Sequence, residues 1–212
     1  MSIILNEIFK GILNGQQTVV EEKVIAALQS GESPKSILDE GMVAAMSEVG
    51  RLFEQGEFYI PEMLISSRAM KTGLVLLKPH LLEANVRSSG NVAIGTVKGD
   101  LHDIGKNLVS MMLEGAGFEV RDLGTDVDPE AFVAASKDVQ VIALSALLTT
   151  TMPNMKDVVE ALNTAGTGSK VKVIVGGAPV TEEFAKHIGA DGYAADASRA
   201  VSLVKSLLKV KE

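Results

Sequence analysis

The second half of the chain alternates strand-type and helix-type segments, and this alternation restricts the possible folds most. The predicted strands cover residues 91–97, 118–123, 139–145, 171–176 and 191–195. The predicted helices cover residues 104–115, 129–137, 152–165, 180–188 and 197–209. Each crossover is long enough for a right-handed βαβ unit. We therefore predict an α/β fold, a flavodoxin-like (Rossmann-like), doubly wound sheet of five parallel strands in the order 2-1-3-4-5.

The first part of the chain has helical periodicity instead. Ser33-Pro34 is predicted to be an N-cap followed by proline at the first helical position, and Pro61 is predicted to open a further helix. With two helices before Ser33, the pattern indicates an N-terminal four-helix bundle. The predicted domains are a helical bundle cap over 1–84, a polar linker over 85–90 and an α/β domain over 91–212.

Composition excludes several classes of function. The net charge is −7 and no basic run occurs, which argues against nucleic acid as a partner. The absence of cysteine rules out disulfides, zinc thiolates, iron–sulfur ligation and cysteine nucleophiles. Nothing resembles a signal peptide, and no apolar run approaches the roughly 20 residues of a membrane span. We therefore expect a cytoplasmic protein that does not associate with membranes.

The turn after the first predicted strand contains the pattern Asp100-x-His102-x-x-Gly105. Ligands of open α/β sheets bind beyond the carboxyl ends of the strands, where this turn is predicted to lie. A metal-bound imidazole usually donates its second N–H to a carboxylate, and Asp100 is near enough in sequence to accept it from His102. Gly105 would let a bulky ligand approach the start of the helix. Taken alone, the pattern also fits a surface loop whose histidine has no role.

Two further predicted turns at the same edge have features that suit a large ligand. The third strand ends at Ser145, and Thr149 and Thr151 follow; the fourth ends at Gly176-Gly177. Each feature has an ordinary alternative, namely helix capping for the hydroxyls and a tight turn for the glycines. A phospho-acceptor receiver domain would need an aspartate where Ser145 stands. No phosphate-binding glycine motif follows a strand. Three successive turns together favour one large ligand.

Several segments in both halves of the chain resemble one protein family. They are Val49–Phe53, Gly56–Pro61, Ser66–Met70, Thr96–Asn107, Ser145-x-Leu147, Gly176-Gly177 and Ala197–Arg199. The sequence is similar to the cap plus cobalamin-binding module of methionine synthase. It resembles even more closely the stand-alone corrinoid proteins of methanol, methylamine, betaine and aryl-ether methyltransferase systems. The similarity covers nearly the whole chain.

The resemblance implies a role for each matching residue. His102 would be the axial ligand of cobalt below the corrin, in place of the cofactor's own base, backed by Asp100 and through it by the hydroxyl of Thr151. Apolar side chains of the helical bundle would cover the upper face, and the nucleotide tail would run along the third and fourth turns. The residues implied to bind the cofactor are Phe53, Ile60, Leu64, Gly99, Asp100, Leu101, His102, Asp103, Gly105, Ser145, Leu147, Thr149, Thr151, Gly176, Gly177 and Ala197.

The function implied by the resemblance is that of a methyl carrier rather than a complete enzyme. The cofactor would be cobalamin, passing through its cob(I)alamin, cob(II)alamin and methylcobalamin forms. The implied partners are a substrate-specific methyltransferase, an acceptor methyltransferase that uses tetrahydrofolate or a thiol, and a reductive activating protein. One alternative is a cobalamin-dependent sensor, which generally carries an output domain. Another is a mutase small subunit, which usually lacks the helical cap.

Overall fold

The computed structural model describes residues 2–84, 86 and 88–210. Its main division into two compact units falls between Ser88 and Ser89. Residues 85 and 87 of the predicted linker lie outside the described part of the chain. The linker and the exact domain bounds therefore stay a prediction.

The first unit is helical. Its elements are α1 (Ile3–Leu13), α2 (Gln17–Gln29), α3 (Pro34–Ser36), a π-helix (Ile37–Val43), α4 (Ala44–Glu54) and α5 (Ile60–Glu83). The predicted cap at Ser33 is confirmed, because its hydroxyl accepts a hydrogen bond from the Ser36 N–H at 3.0 Å. The third predicted helix thus runs through α3, the π-helix and α4 without a break. Helix α5 begins one residue before Pro61, and the Tyr59 N–H donates to the Glu62 carboxylate at 2.9 Å.

Aliphatic and methionine side chains fill the interior of the helical unit. Its largest fully buried side chains are Ile8, Ile12, Ile37, Met42, Met46, Met63, Met70 and Leu77. The polar composition of residues 53–58 predicts a loop between two helices, but Phe53 belongs to α4, and only residues 55–59 lie between α4 and α5. Phe53 lies in the last turn of α4, and Gly56 closes the turn that follows, where φ is +73° and the N–H donates to the Phe53 carbonyl at 3.0 Å. Glycine is the residue that adopts this conformation without strain.

The second unit is the predicted α/β sheet. Its strands are β1 (Asn91–Thr96), β2 (Glu119–Asp122), β3 (Val141–Ser145), β4 (Lys172–Gly176) and β5 (Gly192–Ala194). Its helices are α6 (Ile104–Gly115), α7 (Pro129–Ala135), α8 (Pro153–Thr164), α9 (Glu182–Ile188) and α10 (Ala197–Leu208). All strand pairs are parallel and the order is β2-β1-β3-β4-β5, which confirms the predicted topology. None of the helices formed by the described residues is long and apolar enough to cross a membrane.

The strand register aligns the carboxyl ends of four strands. Thr96 pairs with Ser145, Ser145 with Gly176, and Gly176 with Ala194. Strands β1, β3 and β4 are almost wholly buried, as their apolar sequences predict for central strands of a parallel sheet. The turns that follow these four residues therefore emerge along one edge of the sheet.

Candidate functional site

A series of hydrogen bonds links His102, Asp100 and Thr151 at this edge. Nδ1 of His102 lies 2.8 Å from Oδ1 of Asp100. The Thr151 hydroxyl, from the segment between β3 and α8, donates to Oδ2 of the same carboxylate at 2.6 Å. The Asp100 side chain is fully buried, whereas about half of the His102 side chain is exposed, at 51%. The series therefore runs from the protein interior to an accessible imidazole.

The carboxylate of Asp100 accepts hydrogen bonds on both oxygens. The backbone N–H of Leu147 donates to Oδ2 at 2.8 Å, and the N–H of His102 donates to Oδ1 at 3.1 Å. Burial raises the pKa of this carboxyl, but the hydrogen bonds from Thr151, Leu147 and His102 outweigh burial. The pKa of Asp100 therefore lies well below the usual range of an aspartate, and the group is an anion at neutral pH.

The anionic state of Asp100 fixes the tautomer of His102. An ionised carboxylate only accepts hydrogen bonds, so Nδ1 of His102 carries the proton that lies between them. In the neutral imidazole this leaves the lone pair of Nε2 available. No described residue provides a hydrogen-bond partner for Nε2, so this nitrogen is free to bind a metal ion.

The loop that carries His102 turns sharply after β1. The Asp100 N–H donates to the Val97 carbonyl at 3.1 Å, and Gly99 between them has a φ of +78°. The buried Thr96 hydroxyl donates to the His102 carbonyl at 2.9 Å. The loop is thus folded back on the end of its own strand, and His102 is held at the sheet edge.

Exposed apolar side chains occur on the two segments that carry His102 and donate to Asp100. Leu101 precedes His102 and is 73% exposed, and Ile104 lies two positions after it and is 74% exposed. Both are large hydrophobic residues, which are usually buried. Leu147 and Leu148, whose N–H groups point to Asp100, are each 42% exposed. Exposed apolar groups clustered about a polar centre mark a ligand-binding surface. Together with one available imidazole nitrogen, they fit a large, partly apolar ligand that carries a metal ion.

The glycines of the site differ in why they are needed. A Cβ on Gly105 would meet nothing within 4 Å, so no packing contact of the described chain requires a glycine there. A Cβ on Gly177 would lie 1.9 Å from the Ala146 carbonyl oxygen, and one on Gly176 would lie 3.0 Å from the Ala194 carbonyl oxygen. The turn after β4 therefore needs glycine for its own packing. Gly105 leaves open space beside the loop of His102.

The remaining predicted residues of the α/β unit lie along the same edge. Ser145 is half-buried at the end of β3, and Thr149 is exposed in the segment that follows it. Asp103 is exposed and accepts a hydrogen bond from the Asn107 side chain at 3.0 Å. Ala197 is buried at the first position of α10. Contact of these residues with a cofactor stays a prediction.

The three predicted residues of the helical unit lie at the end of α4 and the start of α5. Phe53 and Leu64 are half-buried, and Ile60 is 45% exposed. Their predicted role in covering a cofactor also stays a prediction.

Residues that the sequence did not single out hold the site together. Asp126 accepts a hydrogen bond from the Gly99 N–H at 2.8 Å, and this bond lowers the pKa of its carboxyl. The buried Lys106 ammonium binds the Asp122 carboxylate at 2.5 Å, which joins α6 to the end of β2. A lysine in the first turn of an amphipathic helix ordinarily predicts an exposed side chain, so the sequence offered no signal for this pair.

Models of known families match both halves of the chain. A B12 binding domain model covers residues 90–202, and a second model, also described as a B12 binding domain, covers residues 4–78. The first match alone includes more than half of the chain.

Curated relatives match almost end to end. The chain is 42% identical over 210 residues to dimethylamine corrinoid protein 3 of Methanosarcina acetivorans, with 97% of each chain covered. It is 43% identical over 205 residues to the trimethylamine corrinoid protein of Methanosarcina barkeri, covering 95% of this chain and 94% of the relative.

Two solved structures share the fold over nearly the whole chain. The methanol:cobalamin methyltransferase complex of Methanosarcina barkeri matches with a TM-score of 0.86 and 29% identity, covering 98% of this chain and 80% of the other. A cobalamin-binding protein from Desulfitobacterium hafniense matches with a TM-score of 0.80 and 29% identity, covering 97% and 98%.

Proposed function

This chain belongs to the B12-binding corrinoid proteins, and we propose that it is a methyl carrier that binds cobalamin with His102 on the cobalt in place of the cofactor's own base. The hydrogen-bonded series from Thr151 through Asp100 to His102 carries this proposal. It supplies an imidazole with a proton on Nδ1 and with Nε2 unpaired by any described residue, at an accessible edge. The segments of that edge carry exposed apolar side chains that a corrin ring would contact.

Each residue of the series has a distinct task. When bound, the corrinoid supplies the chemistry, because its cobalt takes up a methyl group and releases it. Asp100 holds the proton on Nδ1 of His102, orients the ring and increases the basicity of Nε2. Thr151 and the Leu147 N–H keep Asp100 ionised inside the protein, where an unpaired carboxylate would be costly.

Other residues of the same edge are proposed to hold the rest of the cofactor. Leu101 and Leu147 would contact the corrin ring. Gly105 would leave room for the ring at the start of α6. Ser145, Thr149 and the Gly176-Gly177 backbone would line the path of the nucleotide tail. Two independent contact regions would let the protein retain the cofactor when the axial bond is weakened.

The names of the relatives support a partner on the donor side. The curated matches are corrinoid proteins named for dimethylamine and trimethylamine, and one structural match is a methanol:cobalamin methyltransferase complex. We propose that a methylamine-type methyltransferase loads the methyl group and that a second methyltransferase passes it to a thiol or to tetrahydrofolate. A reductive activating protein would restore the cofactor after accidental oxidation.

Electron paramagnetic resonance tests the axial ligand directly. The protein is loaded with cobalamin, reduced to the cobalt(II) state and compared with a sample in which histidine carries ¹⁵N. We expect the nitrogen hyperfine splitting to change from a three-line to a two-line pattern with the label. His102→Ala should abolish this response while retaining some cofactor.

The other two histidines provide matched controls. His80 and His187 are both exposed on helices, and His80→Ala and His187→Ala should leave the labelled pattern intact. A splitting that does not respond to the label in the unaltered protein would overturn the proposed ligation.

Competition between partners tests the carrier role. Immobilised holoprotein should bind a methylamine methyltransferase and, separately, an acceptor methyltransferase. Since both must reach the same cobalt, each should displace the other. Simultaneous binding of both would contradict a carrier that serves them in turn.

A further inference from the structure

An aspartate with an unusual backbone conformation forms two hydrogen bonds with the loop that carries His102. Asp126 lies between β2 and α7 and has a φ of +53°, in the left-handed region that few residues other than glycine adopt. Its N–H donates to the Asp100 carbonyl at 2.9 Å, and its Oδ1 accepts from the Gly99 N–H at 2.8 Å. One residue thereby holds two successive residues of the loop.

Asn154 holds the same loop from another element. It is the second residue of α8, and its side-chain amide donates to the Lys98 carbonyl at 2.6 Å. Its own N–H donates to the Thr151 carbonyl at 3.0 Å. Asn154 therefore connects the backbone of the His102 loop to the residue whose hydroxyl binds Asp100.

Aspartate at position 126 combines a left-handed backbone conformation with a side-chain acceptor. Two residues earlier, Gly124 adopts a φ of +90° and is the residue type best suited to such a backbone. Asp126 stands in a comparable conformation and adds an acceptor that glycine lacks. Lys98 also approaches this carboxylate at 3.6 Å, but both side chains are nearly half exposed, so the ion pair contributes little.

The hydrogen bonds with Asp126 and Asn154 reach Gly99 and Lys98 from elements outside the loop. Lys98 and Gly99 are exposed, and Gly99 has the widest backbone freedom of any residue. The bonds to Asp126 and Asn154 fix three successive residues just before the imidazole. Sites that bind metals depend on such supporting contacts, because a ligand that is free to move binds less well.

We propose that Asp126 and Asn154 are positioning residues that fix the backbone of residues 98–100, so that His102 is presented to the metal without reorganisation of the loop. This inference rests on the proposed function. Under this proposal, Asp126 and Asn154 preorganise the loop, and the pair of His102 and Asp100 provides the axial ligand.

Two substitutions at position 126 separate the acceptor from the backbone conformation. Asp126→Gly suits a positive φ better but removes the carboxylate. Asp126→Asn tolerates the left-handed conformation and keeps an acceptor oxygen for the Gly99 N–H. Asn154→Ala removes the second contact, and Asp138→Ala is the control, since Asp138 is exposed and only approaches Arg121 at 3.9 Å.

The first measurement uses the apoprotein. Amide hydrogen exchange of Gly99 should accelerate about tenfold or more in Asp126→Gly, because the donor loses its acceptor and the loop opens locally. Exchange in Asp126→Asn and in Asp138→Ala should stay within a factor of about three of the unaltered protein. Unchanged Gly99 exchange in Asp126→Gly would overturn the proposal at its first step.

The second measurement uses the cobalamin-loaded protein and the ¹⁵N-histidine signal. We expect the ratio of histidine-ligated to unligated cobalt to fall about tenfold in Asp126→Gly and in Asn154→Ala, with Asp126→Asn close to the unaltered protein. If the unaltered protein shows no histidine signal, the proposed function fails. If it shows the signal and Asp126→Gly retains it in full despite faster Gly99 exchange, only the positioning role fails.

Discussion

Oδ1 of Asp100 lies 2.8 Å from Nδ1 of His102, two residues further along the same loop, and the carboxylate is fully buried while the imidazole is half exposed. This relationship joins an interior charge to a surface ligand. It also assigns the proton to Nδ1, because every group around the carboxylate is a donor. The first two predictions test this relationship.

Asp100→Asn should weaken ligation by His102. The amide keeps the size of the side chain but replaces one accepting oxygen with an NH₂ group, so either His102 or the Leu147 and Thr151 donors must face a donor. We expect the histidine-ligated fraction to fall by about 10–100-fold, or roughly 1.4–2.7 kcal/mol. Electron paramagnetic resonance spectra of the cobalt(II) protein with ¹⁵N-histidine measure this fraction.

Total cobalamin affinity should change less in Asp100→Asn, because the turns after β3 and β4 are unaltered. Asp138→Asn, at an exposed position, serves as the control and should change neither quantity. A parallel loss of ligation and of total affinity would show that Asp100 only shapes the loop.

Thr151→Val should reduce both stability and ligation, whereas Thr151→Ser should not. Valine has the shape of threonine but cannot donate to the buried Asp100 carboxylate, and a hydrogen bond to a charged group contributes about 1.5–3 kcal/mol. We expect a loss of this order in the unfolding free energy of the apoprotein, measured by urea denaturation. Equal stability of the valine and serine variants would mean that the hydroxyl does not matter to Asp100.

The buried ion pair of Lys106 and Asp122 should respond asymmetrically to substitution. Lys106 is almost fully buried, whereas 42% of the Asp122 side chain is exposed. Asp122→Asn would leave a buried ammonium without a charged partner and should cost about 3 kcal/mol of apoprotein stability. Lys106→Met leaves an aspartate that water can solvate and should cost less than half as much.

The double variant Lys106→Met/Asp122→Asn tests this explanation of the asymmetry. It should be more stable than Asp122→Asn alone, because the unpaired buried charge is gone. If the losses of unfolding free energy in the two single variants simply added in the double variant, as measured by urea denaturation, this explanation would be contradicted.

Two glycine substitutions should have opposite effects on the apoprotein. Gly105→Ala meets open space in the first turn of α6 and should stabilise the apoprotein by about 0.5 kcal/mol. Gly177→Ala would place a Cβ 1.9 Å from the Ala146 carbonyl oxygen at a φ of +134°, so it should lower the melting temperature of the apoprotein. Thermal denaturation of the two apoproteins compares them.

Cobalamin binding separates the two roles further. If the space beside Gly105 receives the corrin ring, Gly105→Ala should weaken cobalamin binding although it stabilises the apoprotein. Fluorescence or equilibrium dialysis measures this affinity. Unchanged binding in Gly105→Ala would place the ring elsewhere.

Local patterns in the sequence were enough to predict the order of the elements and the topology of the sheet. Hydrophobic periodicity and turn residues depend on neighbouring positions, and the right-handed crossover restricts how parallel strands connect. The pairing of Asp100 with His102 is also local, because two residues of one loop are close in almost any conformation. The last two residues of α4, Phe53 and Glu54, were assigned to a loop, since a polar helix terminus and a polar loop have similar composition.

Apart from Thr151, tertiary structure alone decided which distant groups meet the Asp100–His102 pair. The family resemblance already implied the Thr151 hydroxyl behind Asp100, and the structure contains this bond. The Leu147 donor and the contacts of Asp126 and Asn154 come from segments that the strand order and register bring beside the loop. Their side chains follow no periodic pattern. The burial of Lys106 likewise depends on where Asp122 lies at the end of β2. The sequence by itself therefore determined the fold and the pair of residues at the centre of the site. The three-dimensional packing determined how that pair is charged, oriented and held, because those properties depend on contacts between segments far apart in the chain.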